Sequence, residues 1–152
     1  MPEFIENAKE ELKRVDHLIY VSLKYTRTVD VLKSIIQRLL NCFDFVIEGL
    51  LQEAEDNNKI EATPTSPGVK CEVLQKLYSK EKTLHNYCSF YLLLRRINRA
   101  EFERAREFRR HVTMTANVDQ KLVEVNIDII TDYFKRVKLF MGYINESLVK
   151  EG

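Results

Sequence analysis

Apolar side chains at Ile5, Ala8, Leu12, Val15 and Ile19 alternate steps of three and four, the spacing that lines them along one stripe of a helix. They predict a first helix that ends near the polar stretch "KYTRT", residues 24 to 28. Val29, Leu32, Ile36, Leu39, Phe43, Val46 and Leu50 keep the same steps. The second helix is therefore expected from about residue 28 to 55, roughly 40 Å long at 1.5 Å per residue. Ile35, Leu40, Cys42 and Ile47 widen its stripe, which implies contact with more than one neighbour.

The pattern breaks at "EDNNKIEATPTSPG". Ser66 before Pro67 has the chemistry of an N-cap followed by proline at the first helical position, and it opens a short helix over "GVKCEVLQKLYSK". Leu84, Tyr87, Tyr91, Leu94 and Ile97 mark a fourth helix that should fade or bend between Asn98 and His111. Asn117 with Gln120 resembles a capping box. The final helix is expected to carry Val123, Ile127, Ile130, Phe134, Val137, Met141, Ile144 and Leu148 on one face. With no strand-like alternation read anywhere, the expected fold is all-α: one domain over residues 1–152, an antiparallel bundle of four long helices plus a short one.

Composition adds little until charge is read locally. The chain is 45% apolar and 31% charged with a net charge of +1, which gives no global bias toward nucleic acid or membrane. Its arginines are crowded, however. Arg95, Arg96, Arg99, Arg104, Arg106, Arg109 and Arg110 lie just before His111 and face only Glu101, Glu103 and Glu107. Folding alone does not call for that density.

Other chemistries find less support. Cys42, Cys71 and Cys88 are odd in number and set among apolar residues, as packed, reduced thiols of a cytosolic protein would be. The charged N-terminus lacks the apolar core of a signal peptide, and no run approaches the length of a membrane span. No histidine follows a glutamate at the spacing of a helical metal site, so no metal is expected. Four glycines without a phosphate-loop pattern give no sign of a nucleotide cofactor. Tyr87, Phe90 and Tyr91 could stack bases, but at helical spacing they read as core. His17 and His85 read as ordinary polar residues.

His111 is set apart by its neighbours. "REFRRH" places Arg106 five residues before it and "RAREFRRH" places Arg104 seven before it. On a continuous helix, residues five apart stand about 140° around the axis, so Arg106 can approach His111 only if the helix ends or bends between them. Imidazole can move a proton near neutral pH, and guanidinium can hold a phosphate through its planar, permanently charged fork. Together they suit metal-free phosphodiester chemistry. Arg95 with Arg99, and Glu103 with Arg106 or Glu107, could equally lace a solvated surface with weak ion pairs.

Two long helices, a "TPTSPG" connection with a short helix, a fourth helix, an Arg-x4-6-His element and a last amphipathic helix resemble the HEPN superfamily (higher eukaryotes and prokaryotes nucleotide-binding domain), especially prokaryotic members encoded beside small nucleotidyltransferases. Glu107, Arg110 and Thr113 stand where members commonly carry, respectively, a polar residue such as asparagine, an aliphatic residue and, in some, a tyrosine. The resemblance implies a homodimer that binds RNA and cleaves it without metal at the subunit interface. His111 with Arg106 or Arg104 would be catalytic, and Arg95, Arg96, Arg99, Arg109 and Arg110 would follow the RNA backbone. A noncatalytic HEPN-like partner of a nucleotidyltransferase or toxin, and a helical scaffold, are the alternatives.

Overall fold

A computed structural model describes residues 2–149. Helix α1 (Glu3–His17) continues through a π-helical turn at Leu18–Ser22 and a last turn at Leu23–Tyr25. Helix α2 (Val29–Asp56) follows after a short connection. The short α3 (Pro67–Leu77) and α4 (Lys82–Arg99) come next. After three strands, α5 (Ile127–Tyr143) ends in a second π-helical turn, Ile144–Leu148.

The helical half of the expectation matches this order. Every member of the seven-residue stripe from Val29 to Leu50 is buried on α2, and so are Ile35, Leu40, Cys42 and Ile47. α1, α3, α4 and α5 all pack against it. The broad stripe is thus covered within one chain. Ser66 Oγ accepts the Val69 N–H at 3.3 Å, capping α3 ahead of Pro67. Phe90 and Tyr91 are buried, and all three cysteines are free and buried. Burial pushes the Cys42 thiol up, as expected for an inert packed sulfur. His85 Nε2 lies 3.1 Å from the Tyr78 carbonyl oxygen near the start of α4. Among the described residues no helix is long and apolar enough to cross a membrane.

The all-α expectation is corrected by a three-stranded antiparallel sheet between α4 and α5. Its order is β1 (Phe102–Ala105), β2 (Thr113–Val118), β3 (Lys121–Val125). Phe102 pairs with Ala116 and Ala105 with Thr113, while Met114 pairs with Val125 and Val118 with Lys121. On β2, Met114, Ala116 and Val118 are buried and alternate with more open Thr113, Thr115 and Asn117, which is strand periodicity. The buried face of this central strand packs on α2 and α4.

Asn117 and Gln120 therefore belong to a hairpin. Asp119 and Gln120 form its two-residue turn, with φ of 51° and 68°, the positive values that a hairpin loop of this length favours. The actual cap of α5 is Asn126, whose Oδ1 accepts the Ile129 N–H at 2.8 Å. Val123, expected on the last helix, lies on β3.

Two contacts fix α1 on α2. Glu11, buried apart from a small fraction, meets Arg14 at 3.2 Å and Arg38 at 3.3 Å. Gly49 lies against the Phe4 ring: a Cβ there would overlap its Cγ, and the three nearest atoms all belong to that ring. Gly49→Ala should cost about 1–3 kcal/mol through overpacking. In a Phe4→Ala background the same change should instead gain up to about 1 kcal/mol from helix propensity. Urea unfolding of the four proteins in the cycle would read that change of sign; a cost unchanged by Phe4→Ala would show that the ring is not the obstacle.

Candidate nucleic-acid interface

The arginine crowd is divided by the end of α4 at Arg99. Arg95 remains on the helix, where Nη1 lies 3.8 Å from Asp44 Oδ2 and donates to Tyr91 Oη at 3.4 Å. Tyr91 Oη in turn donates to Asp44 Oδ1 at 2.5 Å. Burial raises the Asp44 carboxyl, and the Tyr91 hydrogen bond and the Arg95 charge oppose that rise. Arg95 is thereby committed to a partly buried acid. Arg96 and Arg99 line a shallow groove beside Asn117 and Asp119.

Arg104, on β1, turns to the head of α2. It contacts Asp30 Oδ1 at 2.9 Å and Glu107 Oε2 at 3.6 Å. Glu107 Oε2 also accepts the Val29 N–H at 3.0 Å, while Thr28 Oγ1 accepts that of Val31 at 3.3 Å. Free N–H groups at a helix start favour such acceptors, and a carboxylate adds attraction to the positive end of the dipole. Glu107 is thus a helix cap clamped by Arg104. It does not neutralise Arg106 by an ion pair among the described residues.

Arg106, Arg110 and His111 come together where the chain leaves β1. Arg106 and Phe108 have φ of 57° and 66°, and the Val112 N–H bonds the Arg109 carbonyl at 3.1 Å. The helix expected to carry both residues has already ended at Arg99, and these turns reverse the chain between β1 and β2, so that Arg106 and His111 line one cleft. The Phe108 N–H donates to the Arg27 carbonyl at 2.6 Å, tying this loop to the connection between α1 and α2.

The result is a cleft of about 420 Å³. Arg27, Arg106, Arg110, His111 and Thr113 contribute to one part of its wall, and Glu124, Asn126 and Asp128 bring in the end of β3 and the start of α5. Ion pairs among the described residues engage Arg14, Arg38, Arg95 and Arg104; Arg27, Arg106 and Arg110 have no carboxylate partner there. The Nε of Arg27 is buried without a hydrogen-bond partner. No family model, curated protein or solved structure matches the chain.

Arg109, on the same loop, is exposed and outside the lining of the cleft. Arg104 lines a different groove with Asp30, Lys33 and Phe102. Of the residues expected to act together, the fold joins Arg106, Arg110 and His111 and sets Arg104 and Arg95 aside. It adds Arg27, an arginine far from the crowd in sequence. Among the described residues no group of three or more His, Cys, Asp or Glu side chains could hold a metal ion.

Proposed function

We propose that the protein binds RNA by its phosphates in this cleft and cleaves it there as a metal-independent endoribonuclease. The observation that carries the reading is the sharing of one cleft by His111 and three guanidiniums that form no ion pair among the described residues, with Glu124 and Asp128 on the same wall. Arginine forks offer paired donors to phosphate oxygens, and imidazole is the side chain suited to move a proton at neutral pH. His111 takes the proton of the 2′-hydroxyl, whose oxygen attacks the adjacent phosphorus. The bond from phosphorus to the 5′-oxygen breaks, that oxygen takes a proton from water, and the hydroxide so formed takes back the proton held on His111. The products are a 2′,3′-cyclic phosphate and a 5′-hydroxyl, with the guanidiniums offsetting the charge that grows on the equatorial oxygens.

The chemistry agrees with what the HEPN resemblance implies, but its support is the cleft, since the sheet departs from the helical order on which that resemblance rests. All four cationic or proton-carrying groups come from one chain.

Binding tests the electrostatic part. Fluorescence anisotropy of a single-stranded RNA across a salt series should give a falling log affinity, by about 0.7 per phosphate contact. Arg27→Ala and Arg110→Ala should each weaken binding for all sequences and flatten that slope by about one contact. Arg95→Ala, whose side chain serves Asp44, should leave the slope unchanged. Absence of binding at low salt would sink the reading.

A further inference from the structure

At Phe108 the fold uses the turn but gives no use to the side chain. Its ring is 77% exposed although it is fully apolar, and its φ of 66° is a conformation that bulky residues rarely adopt. Core burial cannot account for either. The backbone beneath it is nevertheless firmly held, by the Phe108 N–H bond to Arg27 and by the Glu107 bond to the head of α2. The ring is presented from an anchored loop, between the two cleft residues Arg106 and Arg110.

The other segment of the cleft repeats the combination. Tyr25, two residues before Arg27, is 84% exposed. Thus each of the two segments that supply guanidiniums also displays an open aromatic ring. Cations that follow a phosphate backbone, joined to rings with free faces, are the components that hold unpaired bases. Duplex RNA keeps its bases stacked on one another and cannot use such rings.

We propose that Phe108, with Tyr25, forms a base-stacking platform beside the cleft and makes it selective for single-stranded RNA with unpaired bases. This rests on the RNA-binding reading of the cleft and adds the part of the ligand that reading leaves open. Stacking is tolerant of base identity because every base has a π-face, so the platform selects strandedness more than sequence.

The test compares a single-stranded RNA, an abasic strand of equal length and charge, and a duplex. Wild type should bind the base-bearing strand more tightly than the other two. Phe108→Ala should lower that affinity by about fivefold to a hundredfold, the range of one base–aromatic contact, and leave binding of the abasic strand unchanged. Phe108→Trp should retain the preference, and Phe108→Leu should lose it, separating stacking from general apolar contact. Phe108→Gly, which relieves the positive φ, should match or exceed the wild-type melting temperature while losing base-dependent binding, so loss of binding would not reflect unfolding. Equal wild-type affinity for base-bearing and abasic strands would overturn the platform and leave the cleft reading standing. Binding of neither would overturn both. Dissociation of a dimer by Phe108→Ala, seen by light scattering with base preference intact, would make the ring a contact between copies and overturn the platform.

Discussion

Replacing His111 with alanine is expected to slow RNA cleavage by about 10²–10⁴-fold, the usual contribution of a positioned proton-transfer group, while RNA binding changes little. On the proposed reading the two effects separate, because the guanidiniums of Arg27, Arg106 and Arg110 would supply the charge and the imidazole the proton transfer. Stability should be nearly unaffected. His111 is exposed, and the hydrogen bond at this residue is to its carbonyl, from Thr113 Oγ1 at 2.8 Å, which alanine keeps. Surface changes of this kind usually stay within about 0.5 kcal/mol. The measurement is cleavage of mixed RNA in EDTA, with the product end identified as a 2′,3′-cyclic phosphate and His85→Ala as control. Equal cleavage by wild type, His111→Ala and His85→Ala would expose a contaminating nuclease. A parallel loss of binding in His111→Ala would place the imidazole among the charge contacts and remove its catalytic assignment.

The helical core was legible because its signal repeats. Val29 to Leu50 restate one spacing over six turns, and each restatement excludes a strand. The sheet offers no such redundancy. β1 has four residues, three of them exposed, and the alternation on β2 is carried by Met114, Ala116 and Val118 amid threonines. Its hairpin turn uses Asp119 and Gln120 in place of the glycine or asparagine pairs that advertise such turns. Two coincidences then extended the last helix backward. Asn117 and Gln120 have capping-box spacing, and Val123 stands four residues before Ile127, in step with the helix although it lies on β3.

The site was legible only in part for a related reason. Arg106 and Arg110 near His111 are local in sequence, so their density could be seen. Choosing between Arg104 and Arg106 required the chain to turn: Arg104 remains on β1 with Asp30, and Arg106, at positive φ, begins the loop that returns to His111. Arg27 had no sequence signal beyond its place in the polar break after α1. It reaches the cleft because the Phe108 N–H bonds its carbonyl, a contact between distant parts of the chain.

Phe43→Ala should be among the most destabilising single substitutions, at about 3–5 kcal/mol. Phe43 lies on α2 with its ring 4.5 Å from that of Phe140 on α5, and 5.4 Å and 6.0 Å from Tyr91 and Phe90 on α4. Truncation would therefore remove three ring contacts at once and open a cavity where three helices converge. Those helices cannot collapse onto the space independently, because Phe140 also packs on Tyr87 and Phe90 on Tyr133. For a chain of this length the loss corresponds to a fall in melting temperature of roughly 6–20 °C. Leu139→Ala, on the exposed face of α5, should stay within about 0.5 kcal/mol. Urea unfolding of both variants checks the contrast. A Phe43→Ala cost below about 1 kcal/mol would mean that the three helices do not depend on that ring. The functional consequence follows from α5: its N-cap Asn126 and its first-turn Asp128 line the cleft, while Phe140 on the same helix rests on Phe43. Loosening that contact should weaken RNA binding near the melting transition and leave it intact well below, whereas Arg27→Ala should weaken it at every temperature.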